Sequence, residues 1–382
     1  MKIDRIETAH LRFEYDEGFT YAGGVCDARL TSLVFVHTDD GLVGYGSAYS
    51  HPAIIEIVVK QHLEPLLVGR EIDDIDELWT LMYRETRWYG RKGAAMSALG
   101  AIDTAFWDLR GKAAGQPVWK LLGGKSDKSP AYASALLWTP PEELADETER
   151  LQQKSFRRFK MRLGRGEELD RDCVTAVCNV LREGDNLMVD GSMRYTPETA
   201  FQLSEFLADR GVFWFEEPFQ PEDVESFAEL RKKSRVPIAA GENEFGVQGF
   251  HELFRANAVD IAQPDASRCG GISEVVKVAK LAAQQNVGIA THSWSDALAI
   301  VANAHVVAAI ENGITVEVDQ TGNPFVEELL TNPLQIADGI LSLGETPGLG
   351  VELQQDVINR YRLASPFEIP AGSYSDFRFE SL

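Results

Sequence analysis

Six side chains able to handle a proton or a cation recur at a near-constant interval in the second half of the chain. Asp190, Glu216, Glu242, Asp265, His292 and Glu317 lie 26, 26, 23, 27 and 25 residues apart. Each closes a short apolar run: LMVD, VFWFE, VPIAAGE, VDIAQPD, VGIATH and ITVE. Amphipathic helical patterns fill the gaps, which makes a βα repeat, and units of this size close most readily into a parallel barrel whose C-terminal strand ends share one face. Three carboxylates on successive strands suit a hard divalent cation, and an Asp beside a His suits proton transfer. One acidic residue after a strand is ordinarily a helix N-cap, but that does not explain five acids and a histidine at one near-constant interval. Two choices stay open on the residues alone, Glu216 against Glu217 and Glu242 against Glu244. Strand alternation lets only one of Glu216 and Glu217 face the axis, and equal spacing favours Glu216.

A further strand, Arg157 to Leu163, carries Lys160 and Arg162 two residues apart, so both point to one side of it. The outer face of a parallel barrel is covered by helices, where unpaired cations are costly. The mouth, beside the carboxylates, satisfies them better.

The elements that must hold these groups follow in order. Lys2 to Phe13, Leu30 to His37 and Leu42 to Tyr49 read as a meander, turned at Asp39-Asp40-Gly41. Glu14 to Asp27 reads as a Gly- and aromatic-rich loop, and Ala48 to Pro52 as a second one. Ile54 to Leu66 and Ile75 to Tyr83 are amphipathic helices, and Met96, Leu99, Ile102, Phe106, Leu109 and Ala113 form a core stripe ended by Gly115 and Pro117. Leu121 to Lys125 closes this part. The barrel is expected to begin at Ala131 to Leu136, with a helix over Pro141 to Lys154, and its last unit to end near Ile340. Pro347 to Gly350 reads as a turn, after which a tail containing PFEIP packs outside. The boundaries expected are a first domain over 1–125, a barrel over 126–350 and a C-terminal segment over 351–382.

With 382 residues and 44% hydrophobic content, one barrel of roughly 230 residues plus a smaller domain is accommodated. Thirty-seven Lys and Arg face 59 Asp and Glu, a formal charge of −22 that repels nucleic acid and anionic membranes, so neither is expected as a partner. Cys26, Cys173, Cys178 and Cys269 lack metal-finger spacing and read as free thiols of a reducing compartment. The charged N-terminus is not a signal peptide and no run reaches membrane-spanning length, so a soluble cytoplasmic protein is expected.

AIDTAFWDLRGKAAGQPVWKLLGG (101–124), FEEP, GEN, QPD with its following Gly-Gly, and PGLGVEL together resemble the enolase superfamily, and within it the mandelate racemase subgroup. The resemblance implies a modified (β/α)7β TIM-like barrel under an α+β capping domain, with the tail returning to the cap. It implies Asp190, Glu216 and Glu242 as ligands of one Mg²⁺ per subunit, Asp265 and His292 as a dyad on the sixth and seventh strands, and Glu317 on the eighth as an acid that donates to the enolate oxygen when protonated. Such sites combine a Lys or His base with Mg²⁺ that stabilises an enediolate. Two cap loops then select the substrate, here Phe19 to Asp27 and Ala48 to Pro52, with Phe19, Tyr21, Tyr49 and His51 as contacts beside Lys160 and Arg162. The subgroup often carries Lys-x-Lys on the second strand, whereas this chain has Lys160-Met161-Arg162. A guanidinium, with a pKa above about 12, is a poor proton acceptor. One competent base, His292, favours loss of a β-hydroxyl over two-base racemisation. The reading is a Mg²⁺-dependent dehydratase of an acid sugar or related hydroxy acid that gives a 2-keto acid in carbohydrate catabolism. A racemase, epimerase or lactone cycloisomerase is the alternative, a non-catalytic metal-stabilised binding protein a remote one, and a homo-oligomer is expected.

Overall fold

A computed structural model describes residues 1–364, 367 and 377–379. Eight parallel strands, β4 (Lys128–Ser134), β5 (Arg158–Arg162), β6 (Asn186–Asp190), β7 (Phe215–Glu216), β8 (Ile238–Ala240), β9 (Ile261–Ala262), β10 (Gly288–Thr291) and β11 (Gly313–Asp319), pair in sequence order, as the βα repeat demands. The ring closes where β11 pairs with β4, Val316 opposite Ala131 through Asp319 opposite Ser134. Seven helices connect the eight strands, from Pro141–Gln153 to Ala297–Ala309, so the barrel is (β/α)7β as the resemblance implied. Alternation divides each strand: Phe159, Met161, Leu187 and Val189 pack outward into the main core, while Tyr132, Met188, Trp214, Ala239, Ile261 and Ala290 form a smaller cluster inside the ring. Above that inner layer come the polar strand ends.

A second, antiparallel sheet is built by β1 (Ile3–Tyr21), β2 (Gly24–Thr38) and β3 (Val43–Ala48), with β14 (Phe377–Phe379) added to β2. The region expected as a loop, Phe19 to Asp27, is instead strand: β1 and β2 continue to a two-residue turn at Ala22-Gly23. Positive φ at both residues, 51° and 81°, gives the hairpin turn that matches strand twist, and the flanking Phe19, Tyr21 and Val25 are good strand formers. The irregular part is a bulge, with Tyr15 to Gly18 looping out between the pairs Glu14–Ala28 and Phe19–Cys26.

Helices flank this sheet. Pro52–Ile57, a π-helical Val58–Leu63 and Glu64–Leu67 run on one axis where one uniform helix was expected. Pro65 lacks an N–H, and the wider turns before it accommodate its ring. The predicted stripe lies in Ala94–Ala114 and is buried except for Ala113, which emerges at the end. Gly46 of β3 meets this helix so closely that a Cβ would sit 1.8 Å from the Ala101 carbonyl oxygen.

The last strand of the ring, β11, ends at Asp319, and Ile340, expected to end a βα unit, lies in a hairpin instead. Ile336–Ala337 (β12) and Ile340–Ser342 (β13) form a hairpin whose second strand runs antiparallel to Lys128–Pro130, below the point where β11 pairs with β4. Of PFEIP only Phe367 is described, edge-on to His10 of β1 at 4.8 Å; the rest lies outside the described residues.

Carboxylates clasp sheet and barrel together. Arg29 of β2, 1% exposed, donates to Asp319 at 2.8 Å. Asp296 N-caps Ala297–Ala309 and also accepts from the Thr31 and Ser47 hydroxyls. In the other direction Asp103 accepts from Ser273 N and Oγ at 2.9 and 2.6 Å, and Asp108 from Leu349 N at 2.8 Å.

Candidate active site

The expected convergence is present at the C-terminal strand ends. Asp190 and Glu216 are the last residues of β6 and β7, Glu242 lies two residues past β8, His292 follows β10 directly, and Glu317 is inside β11. One oxygen each from Asp190, Glu216 and Glu242 lie within 4.8 Å of one another. The cluster groups Glu216 and Glu242, not Glu217 or Glu244, with Asp190. Glu217 turns away at a positive φ of 31° and accepts from Asn243 Nδ2 at 2.8 Å, while Glu244 is held by Lys92 at 2.8 Å.

Lys160 is enclosed, its Nζ 2.7 Å from Glu216, 2.8 Å from Glu317 and 3.8 Å from Asp190. Arg162 is ion-paired to Asp190, with Tyr21 and Trp294 rings 5.3 and 5.2 Å from its guanidinium carbon. Across the mouth, His292 Nδ1 lies 2.9 Å from Asp265 Oδ2, which leaves Nε2 3.5 Å from Glu242 and 3.8 Å from Glu317. Asp265 Oδ1 accepts from Ser267 N and Oγ, both at 2.8 Å.

Burial opposes the charged forms of Lys160 and Arg162, but the surrounding carboxylates outweigh it and hold both above their ordinary pKa values. Burial likewise favours a neutral His292, and Glu242, Glu317 and Asp265 overcome it to raise the ring's pKa. At Glu317 burial is overcome by Lys160, then His292 and Arg162, so this carboxyl is held below its usual range and ionised. Glu216 goes the other way, driven up to about 8 by burial against the pull of Lys160, with Asp190, Glu242 and Glu317 adding to the rise. At the Lys160–Glu216 contact the lysine stays an ammonium, while burial and three neighbouring acids oppose the charge on Glu216. The mouth holds an excess of acid: Asp190, Glu216, Glu242 and Glu317 surround Lys160 and Arg162, while Asp265 pairs with His292, a third cation when protonated. A divalent cation would remove that excess. The donor set fits one of Mg²⁺ type, since all three triad atoms are oxygen and Glu242 Oε2 is buried without a hydrogen-bond partner among the described residues.

The expected substrate contacts divide. Tyr21 meets Trp294 at 6.0 Å, and Tyr49 stacks on His292 at 6.4 Å with its own N–H bonded to Ser267 O at 3.1 Å. Phe19 stands one ring back, 6.0 Å from Tyr21 and under Arg29. His51 instead precedes the helix Pro52–Ile57 with its Nδ1 buried and without a hydrogen-bond partner among the described residues.

Sequence reasoning missed Trp214 and Gln263, which donate to Glu216 Oε2 at 3.0 and 2.7 Å, as well as Trp294 and Asn303. Trp214 and Gln263 sit two residues before Glu216 and Asp265 in the same apolar runs, so alternation along those runs could have found them, whereas Trp294 lies in the loop after β10. Asn303 left a fainter trace, one of two polar residues in ALAIVANAHVVAA.

Residues 143–357, which hold most of the barrel, match the enolase C-terminal domain-like family, and residues 19–123, in the capping part, match the mandelate racemase / muconate lactonizing enzyme N-terminal domain. The chain belongs to the mandelate racemase/muconate lactonizing enzyme family of the enolase superfamily, and is an enzyme. It is 33% identical to D-galactarolactone cycloisomerase of Agrobacterium fabrum over 96% of this chain and 100% of that one. It is 32% identical to arabinonate dehydratase of Saccharolobus solfataricus over 86% and 90% of the two chains. A racemase of Streptomyces coelicolor, solved with bound magnesium, superposes with a TM-score of 0.88 at 29% identity, covering 94% of this chain and 100% of that one. Among the described residues no helix is long and apolar enough to cross a membrane.

Proposed function

We propose that the chain is a Mg²⁺-dependent hydro-lyase of an acid sugar or related hydroxy acid, one ion per subunit being held by Asp190, Glu216 and Glu242. When bound, the ion would withdraw charge from the substrate carboxylate and make the neighbouring C–H more acidic. The observation that carries the reading is the asymmetry of the mouth. Among the described residues His292, aligned by Asp265, presents an imidazole to the triad, whereas β5 opposite offers Lys160 and Arg162, which carboxylate neighbours keep protonated despite burial.

Lys160 then binds and neutralises the carboxylate from the second strand, and the ionised Glu317 keeps that ammonium in place. His292 Nε2 takes the α-proton while Asp265 supports the imidazolium. The same ring returns the proton to the β-oxygen as the C–O bond breaks, and the enol left behind tautomerises to a 2-keto acid. Tyr21, Tyr49 and Phe19 wall the site from the cap, with Arg162 directed to the distal end of the substrate. His51 has no such support.

A second reading is favoured by the full-length similarity to a lactone cycloisomerase. If the β-oxygen is a free hydroxyl, water leaves; if it belongs to a ring, the same step opens the ring and nothing is lost, a net isomerisation. We further propose a cap over 1–125, a barrel over 126–350 and a returning tail over 351–382, in a cytoplasmic homo-oligomer. Incubating the protein and His292→Asn with mono- and diacid sugars and their lactones, and detecting 2-keto products, tests the function. A carbonyl product formed equally by both proteins, or formed by neither from any member of either class, rejects it.

A further inference from the structure

Burying an amide inside an apolar helix is unfavourable unless all its polar atoms are paired. Asn303, 0% exposed on Ala297–Ala309, has them all paired. Its Oδ1 accepts from Ala266 N at 3.0 Å. The two Nδ2 hydrogens are shared among Asp265 Oδ1 at 3.0 Å, His292 O at 3.2 Å and the carbonyl of Ala299 one turn back at 3.1 Å. The loops that carry the dyad leave different strands, β9 and β10, and Asn303 binds both at once.

The orientation of Asp265 follows. Asn303 and Ser267 together fill Oδ1 with three donors, so Oδ2 faces Nδ1 of His292. A carboxylate there can only accept, so the ring must present Nδ1–H, and the Nε2 lone pair is left toward the triad. The same amide holds the His292 carbonyl, which sets where the ring starts from the backbone.

We propose that Asn303 is a positioning residue that locks the dyad into one arrangement, His292 with Nδ1–H on Asp265 and Nε2 free to accept a proton. This rests on His292 being the base. The experiment is ¹⁵N NMR of histidine-labelled full-length protein at one alkaline pH, with the His292 signals identified by their loss in His292→Asn, alongside steady-state kinetics. The wild type should show a single Nδ1–H tautomer. Asn303→Ala should show a tautomer mixture and a kcat lower by about 10- to 100-fold, the range found for groups that orient a functional histidine. KM should stay within about twofold, since the amide does not touch substrate. Asn303→Asp, of equal size, removes the donor and should mix the tautomers too, which covers the case in which the alanine variant fails to fold.

An Nε2–H tautomer in the wild type overturns the proposal, with no variant needed. So does an unmixed tautomer with unchanged kcat in whichever variant folds. A merely structural role predicts a lower melting temperature with tautomer and kcat per folded molecule unaltered, which is also a refutation. Failure of the base assignment is read separately: His292→Asn would then retain turnover whatever the tautomer at Asn303 variants.

Discussion

Replacing Lys160 by Met keeps the length of the side chain and deletes its charge at the most crowded point of the mouth. Three carboxylates lose one shared cation at 2.7, 2.8 and 3.8 Å. Removing one partner of a buried pair costs about 3–5 kcal/mol, and with three acids affected the upper half of that range applies. For a chain of this size each kcal/mol moves the melting temperature by about 2 °C, so in chelator the variant should melt roughly 8–10 °C below wild type. Added Mg²⁺ supplies two charges where one was deleted, and at a hundredfold excess over Kd a ligand stabilises by about 2.7 kcal/mol. The Mg²⁺-induced rise should therefore be larger in the variant than in wild type, narrowing the gap. Differential scanning fluorimetry in EDTA and across a Mg²⁺ titration measures both. Equal losses with and without the ion, or no loss in EDTA, would refute the account of Lys160 as the counter-charge of the triad.

His292→Asn should abolish turnover with Mg²⁺ binding by calorimetry unchanged, because no triad oxygen is removed; retention of more than a few per cent of activity defeats the base assignment. Asp265→Asn should be milder, the ring remaining but its tautomer no longer enforced. In D₂O, recovered substrate should show no inversion at the α-carbon, since Arg162 and Lys160 are held protonated; epimerised, deuterated substrate formed as fast as product would transfer the reaction to the racemases. His305, fully buried, accepts from Trp119 N at 3.0 Å and donates to Leu349 O at 3.1 Å, and burial lowers its pKa to about 4. Its folded pKa lies below the unfolded 6.5, so the stability it supports is complete above about 6.5 and is lost as pH falls toward about 4. His305→Gln should flatten the acid limb of melting temperature against pH between those values, and an unchanged slope would count against a neutral ring.

The constant interval exposed the barrel because every βα unit must cover one strand, one helix and two short loops, and a group that works at the mouth has to sit at a strand end. Lys160 and Arg162 were legible for the same reason, through the two-residue parity of β5. What stayed hidden depends on partners remote in the chain. The stretch from Phe19 looked like a loop because its glycines and aromatics suit either state, and only the pairing of Thr20 with Val25 settles it. Ile340 looked like barrel because so short a strand, Ile-Leu-Ser, does not reveal that it runs antiparallel to β4. Asn303 is an ordinary polar residue until two loops from other strands are folded against it.

The clasp of carboxylates between sheet and barrel has a consequence for the order in which the chain can mature. Arg29 leaves the ribosome early, while its acceptor Asp319 is 290 residues downstream. Asp108 waits across 241 residues for Leu349. At about 5–20 residues per second, the cap spends roughly 15–60 s with Arg29 lacking that partner. The N-terminal sheet therefore cannot settle as a finished unit ahead of the barrel; it is sealed only when both Asp319 and Leu349 have emerged. A nascent chain arrested before Asp319 should be digested by protease throughout the cap, and should acquire protection in one step once synthesis passes Leu349.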